Sequence, residues 1–216
     1  MTKPRVKICC ISSVDEAMTA IRYGASALGL VGKMPGGPGV IDDKLIQEIA
    51  KKVPPPISTF LLTSETNVDA IIKHYKKVHT STIQLVDELE NRQYQQLWEA
   101  LPHVKLVQVI HVLNDDQVKE AIEISAFVDA ILLDSGNPTL SVKELGGTGR
   151  IHNWDLSKQI RESIQIPLFL AGGLHKENVQ QAIDHVQPFG VDLCSGVRTN
   201  GQLDEKKLAE FFEAMG

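Results

Sequence analysis

The stretch Val6-Lys7-Ile8-Cys9-Cys10-Ile11 runs into Ser13-Val14-Asp15-Glu16 and on to Ala27-Leu28-Gly29-Leu30-Val31. Its first six residues are rich in β-branched and apolar side chains, which suits a strand over Val6 to Ile11. Ser13 and Glu16 have the spacing of a capping box, with Ser13 as the cap and Glu16 reaching back. Ala17, Ala20 and Ile21 continue a helix, and Gly24 is placed to stop it. Ala27 to Val31 is then a second strand. Strand, helix and strand in close succession form a βαβ unit, whose strands lie parallel.

The same rhythm fills the chain. Further helices are expected over 42–52, 67–77, 90–101, 115–125, 153–163, 177–186 and 204–214. Further strands are expected over 57–62, 82–85, 105–111, 130–133, 168–171 and 191–194. That makes eight strand–helix units in 216 residues, with no linker. The reading is α/β, a single (β/α)8 TIM barrel forming one domain over 1–216. An open doubly wound sheet would have fewer units and usually a glycine fingerprint after its first strand. Here that strand ends Cys9-Cys10-Ile11-Ser12.

Charge and cysteine content narrow the function. Twenty-two Lys and Arg against 27 Asp and Glu give a net charge of -5, which argues against nucleic-acid or anionic-membrane surfaces. Three cysteines cannot build a disulfide framework, so a reducing, cytoplasmic setting is expected. The start of the chain shows no apolar signal core. The apolar run from Leu106 to Leu113 is broken by Gln108 and His111 and is too short to span a bilayer. The histidines show no metal-binding spacing, and there is no Cys-x-x-Cys pair, so no metal site is expected.

In a barrel, chemistry sits at the C-terminal ends of the strands. Alternation along the first strand assigns Val6, Ile8 and Cys10 to the face under the helices, and Lys7 and Cys9 to the interior. Cys10 should be a small packed hydrophobe. Cys9 is either simply buried or placed to act as a thiolate base or nucleophile. Asp134 ends an apolar strand. It either accepts backbone hydrogen bonds in the turn or, with its pKa raised by burial, serves as a general acid. Asp192 is a weaker candidate of the same kind, and Cys194 looks like filler. Three glycine-bearing loops follow late strands: Gly146-Gly147-Thr148-Gly149, Gly172-Gly173 and Ser195-Gly196. Backbone N–H groups in such loops suit a phosphate, and loops after strands seven and eight are its usual site in barrels. A small phosphorylated substrate is therefore expected. His111, His152 and His175 read as solvated surface, and Trp98 and Trp154 as packing residues.

These residues resemble the phosphoribosylanthranilate isomerase family. The likeness runs through Lys7-Ile8-Cys9, Gly24-Ala25, Gln84-Leu85, Leu133-Asp134-Ser135, Gly146 to Gly149, Leu170 to Leu174, Asn178-Val179 and Val191-Asp192 with Ser195-Gly196-Val197. It implies an Amadori rearrangement in tryptophan biosynthesis that uses no cofactor. In it Asp134 is the general acid that opens the ribose ring, Cys9 is the base that removes the C2 proton, and the loops hold the phosphate. It also implies a monomer or homodimer. The chain departs from the family where Ser-Pro-Arg usually follows the second strand, its arginine gripping the anthranilate carboxylate. Here Gly36-Gly37-Pro38-Gly39 stands instead. Lys33 and Arg198 are the candidate substitute cations. The alternative is a diverged barrel that takes another ribose-phosphate compound.

Overall fold

The computed structural model describes residues 3–136 and 151–216. The elements in chain order are β1 Arg5–Ile8, α1 Val14–Tyr23, β2 Ala27–Val31, α2 Asp43–Lys52, β3 Ser58–Thr63, α3 Val68–Val78, β4 Thr82–Leu85 and α4 Tyr94–Ala100. They continue as β5 Lys105–His111, α5 Asp116–Ile124, β6 Ala130–Asp134, α6 Trp154–Ser163, β7 Leu168–Leu170, α7 Val179–Val186, β8 Gly190–Leu193 and α8 Glu205–Ala214. The eight strands are parallel and close into a barrel, because β1 pairs with β8 as well as with β2. The expected (β/α)8 barrel is the fold observed.

The local signals act as their chemistry dictates. The Glu16 N–H donates to Ser13 Oγ, and Gly24 takes φ 114° to end α1. Asp42, Asn67, Asn153 and Asp204 cap α2, α3, α6 and α8 with their side chains. Each offers an oxygen to a backbone N–H that has no partner inside the helix. Glu16 departs from a strict capping box. Its carboxylate accepts from the Ser12 and Leu203 N–H groups instead of the Ser13 N–H.

The strand faces separate two cores. Ile8, Leu28, Leu30, Leu61, Ile83, Ile131 and Val191 point outward under the helices. Ala27, Phe60, Val107, Ala130, Leu132 and Phe169 fill the barrel. An outward leucine such as Leu28 has no exposed surface, and cutting it to alanine would cost about 2–5 kcal/mol.

Two expectations about elements are corrected. The helix over 90–101 is broken, because Asn91 and Arg92 take positive φ near 52° and leave only a 3-10 turn ahead of α4. Trp98 does not pack: it is 44% exposed on α4. Trp154, at the start of α6, does pack against the core.

Candidate active site

A cavity opens at the C-terminal ends of the strands. Its wall includes Cys9, Gln84, Asp134, Asp192, Gly172, Gly173 and Ser195 from the sequence-derived set. One flank is apolar, built from Val31, Met34, Leu62, Val86 and Val109. Gly147 and Thr148 lie outside the described residues.

Lys7 and Asp192 form the electrostatic centre. The Lys7 ammonium is fully buried, 2.9 Å from Asp192 Oδ1 and 5.3 Å from the centre of the Phe60 ring. Burial alone would lower the Lys7 pKa. The neighbouring Asp192 and the cysteines more than reverse that, so Lys7 stays charged. Asp192 and Asp134 interact with one another as well as with Lys7. Two buried carboxyl groups thus share one buried cation, and the cation is bonded to Asp192.

Asp134 is raised above the ordinary carboxylate range, chiefly by burial. The Ser135 N–H, which donates to Asp134 Oδ1 at 2.8 Å, opposes that shift, as do His111 and Lys7. A raised pKa favours the protonated carboxyl group, the form a general acid needs. Cys9, also in the wall, sits where β1 leaves off, its N–H donating to the Leu193 carbonyl. Gly29 makes room for it: a Cβ there would lie 2.8 Å from Cys9 Sγ and 3.1 Å from Lys7 Nζ. Gln84 brings a buried Oε1 with no donor among the described residues.

The loops carrying Gly172-Gly173 and Ser195-Gly196 meet. Gly172 and Gly173 take φ 83° and 61°, conformations that favour glycine. A Cβ on Gly196 would overlap the Leu174 carbonyl oxygen, so the two loops pack backbone to backbone. Asn178 pins the first loop, accepting from the His175 N–H and donating to the Gly173 carbonyl, both at 2.9 Å.

Several side chains stand elsewhere than expected. Cys10 is not under the helices. β1 ends at Ile8, Cys10 turns to φ 62°, and its sulfur faces the cavity. Strand alternation stops applying where the strand stops. Cys10 Sγ lies 2.8 Å from Cys194 Sγ and 3.9 Å from Cys9 Sγ, so Cys194 is part of a thiol cluster and not filler. Arg198 does not face the cavity. Its buried guanidinium donates to Glu16 and to the Cys9 and Cys10 carbonyls, which fixes the turn after β1. Lys33 is exposed and is no part of the wall. Among the described residues, no lysine or arginine lines the cavity.

The histidines also differ from expectation. His111 is buried, bonded to the Val86 carbonyl, and its neighbour across the β5–β6 ladder is Asp134. His152 is held by Ser157 Oγ, and burial lowers its pKa to about 4. Only His175 is partly open to solvent, as its loop position suggested, and it pairs with Glu177. Cys10 and Cys194 were missed as wall residues. The signal for Cys10 was its place in a turn next to a glycine-rich loop.

Comparison with known proteins agrees with the resemblance seen in the sequence. The family described as N-(5'-phosphoribosyl)anthranilate (PRA) isomerase matches residues 6–214. The chain is 36% identical to N-(5'-phosphoribosyl)anthranilate isomerase of Methanosarcina acetivorans, over 98% of this chain and 92% of that protein. It is 32% identical to the enzyme of the same name from Nostoc punctiforme, over 98% of each. The crystal structure of phosphoribosyl anthranilate isomerase from Thermotoga maritima superposes with a TM-score of 0.84 at 28% identity, over 98% of each chain. Another isomerase, solved in complex with reduced 1-(o-carboxyphenylamino)-1-deoxyribulose 5-phosphate, gives a TM-score of 0.81 at 26% identity, again over 98% of each. The barrel, the residues at its mouth and these similarities agree: the chain belongs to the N-(5'-phosphoribosyl)anthranilate isomerase family.

Proposed function

We propose that the protein converts N-(5'-phosphoribosyl)anthranilate to 1-(o-carboxyphenylamino)-1-deoxyribulose 5-phosphate, with Asp134 as general acid and Cys9 as general base. The observation that carries the acid assignment is the buried ion pair. Lys7 is bonded to Asp192, whereas Asp134, on the same cavity, is raised by burial toward its protonated form without a bond to that ammonium.

Asp134 gives that proton to the furanose oxygen as the C1–O bond breaks. The anilino nitrogen lone pair forms the C1=N bond of a Schiff base. Cys9 then removes the proton from C2, and the electron pair moves through C2 and C1 to nitrogen. The resulting enolamine tautomerises to the ketone. The imine is the electron sink, so the sequence of steps requires neither metal nor organic cofactor. Lys7 is a positioning residue in this scheme, since its buried ammonium is bonded to Asp192 Oδ1 and so fixes that carboxylate at the cavity.

The backbone N–H groups around Gly172-Gly173 and Ser195-Gly196 hold the phosphate. The aromatic ring lies against Met34, Leu62 and Val86. With no lysine or arginine in the described wall, the anthranilate carboxylate turns to the backbone of Gly36 and Gly37 and to solvent. The setting proposed is cytoplasmic, on three free cysteines, with one (β/α)8 domain over 1–216 acting as monomer or homodimer and without nucleic acid. No helix among the described residues is long and apolar enough to cross a membrane.

The test is loss of substrate fluorescence by the purified protein, together with growth of an isomerase-deficient tryptophan auxotroph. Turnover by the wild type that falls at least about 100-fold in Cys9→Ser and in Asp134→Asn supports the assignment. A folded protein that binds inorganic phosphate yet shows no turnover at millimolar substrate favours the diverged alternative.

A further inference from the structure

The chemistry above uses one of three thiols at the cavity. The other two are in contact: Cys10 Sγ and Cys194 Sγ are 2.8 Å apart, although 184 residues separate them in the chain. Both line the cavity, and Cys194 is only partly buried, so a small solute entering the mouth reaches it.

We infer that Cys10 and Cys194 form an oxidative modification site, a dithiol that hydrogen peroxide or a similar small peroxide converts to a disulfide inside the active-site cavity.

The geometry supports each step. Two sulfurs already in contact need less than about 1 Å of movement to reach the bonded distance of about 2.05 Å. The backbones are held for it, because β1 and β8 are paired in register up to Ile8 and Leu193, just before these residues. The Cys194 thiol is held below its ordinary pKa by its hydrogen bond with Cys10 and by the nearby Arg198 guanidinium, and the same bond pushes Cys10 up. Cys194 is therefore the attacking thiolate.

The reaction balances in two displacements. The Cys194 thiolate attacks one peroxide oxygen. The O–O bond breaks, the departing hydroxide takes a proton to become water, and a sulfenic acid remains on Cys194. Cys10 then attacks that sulfur, an S–S bond forms, and the S–O bond breaks. The oxygen leaves as a second water, carrying the Cys10 proton. The two thiols lose two electrons and peroxide gains them. A thiol such as dithiothreitol reverses the change by exchange.

The link joins the turn carrying Cys9 to the loop carrying Ser195. Cys10 Sγ is 3.9 Å from Cys9 Sγ, so pulling Cys10 toward β8 moves the base. A shift of about 1 Å at a catalytic group costs on the order of 100-fold in rate. Turnover should fall in step with the fraction cross-linked and return on reduction. Only this activity readout rests on the proposed function; the chemistry at the thiols does not.

The experiment titrates purified wild-type protein with hydrogen peroxide and counts free thiols after unfolding. Peptide mapping follows, with activity measured in parallel and after dithiothreitol. The expected result is a fall from three thiols to one, a peptide pair joined through Cys10 and Cys194, and reversible loss of turnover. In Cys194→Ala no internal link should form at the same peroxide dose, and its activity is read against its own reduced state. The inference is overturned if all three thiols survive doses that oxidise a free thiol. It is overturned equally if Cys9 alone is oxidised, or if wild type and Cys194→Ala lose activity at the same rate and dithiothreitol restores neither. If the reduced protein shows no turnover, the isomerase assignment fails, while the thiol count and peptide map still decide the dithiol.

Discussion

Replacing Gly29 by alanine adds one methyl group where β2 passes closest to the chemistry. The new Cβ would sit 2.8 Å from Cys9 Sγ, 3.1 Å from Cys9 Cα and 3.1 Å from Lys7 Nζ. Non-bonded heavy atoms of this size prefer about 3.5–4.0 Å, so the sulfur must retreat by roughly 1 Å. It cannot retreat alone, because the Cys9 Cα is also too close and its N–H is bonded to Leu193. Overpacking of this kind costs about 1–3 kcal/mol. In a chain of this length each kcal/mol lowers Tm by about 2–4 °C. Displacing the base by about 1 Å should lower kcat on the order of 100-fold. KM should move far less, because the phosphate loops at Gly172 and Gly196 are untouched. Steady-state kinetics by fluorescence loss and a thermal melt give all three values. A folded Gly29→Ala protein with the parental kcat would refute both the placement of Cys9 and its role as base.

Asp134 supplies a pH test. Its folded pKa lies above that of the unfolded chain, near 3.9, so ionising it in the folded state costs stability. That cost is absent below the unfolded value and grows as pH rises through the raised one. Thermal melts of wild type against Asp134→Asn should show the variant gaining relative stability over that window, and a constant difference would count against a buried neutral acid. Lys7→Met should cost about 3–5 kcal/mol in chemical denaturation by leaving Asp192 buried without its cation, whereas Lys7→Met with Asp192→Leu should recover most of it. Equal losses in both would show that the ion pair is not the reason. Pro38→Arg should lower KM by about ten- to a hundred-fold, the worth of a charge-assisted contact of about 1.5–3 kcal/mol. Gly39→Arg should not, because a Cβ there would collide with Cys10 and φ is 76°. An unchanged KM in a folded Pro38→Arg protein would mean that the carboxylate lies elsewhere.

The barrel was legible because each unit carries its own punctuation. Ser13, Asp42, Asn67, Asn153 and Asp204 announce helix starts, and the strand cores between them are apolar on both faces. Period-two alternation also placed Lys7 and Cys9 inside, and a carboxylate closing an apolar strand marked Asp134 and, more weakly, Asp192. Alternation failed at Cys10, because it holds only while the backbone is extended. The helix over 90–101 failed for a related reason: two residues with positive φ interrupt it, and neither Asn91 nor Arg92 is a glycine that would have signalled it. The fate of Arg198 was not legible at all. Its partners are Glu16 and two carbonyls on the other side of a gap of more than 180 residues, a pairing set by barrel closure and by no local pattern. His111 misled because a histidine at a strand end looks the same whether the mouth is open or roofed.

The β1–β8 seam makes folding a matter of timing. β1 is the earliest barrel strand to leave the ribosome and β8 the latest, yet each is the other's neighbour. Until Gly190–Leu193 arrives, the growing sheet has two raw edges and Lys7 lacks the carboxylate it is bonded to, Asp192. An ammonium destined for complete burial cannot enter an apolar interior unpaired, so Lys7 works against premature collapse. The last step also closes a long loop, since Lys7 and Asp192 are 185 residues apart. Nascent chains stopped before β8 should therefore stay protease-sensitive and expose sheet edges to one another. Ordered structure should appear late and in one event, as the last strand docks.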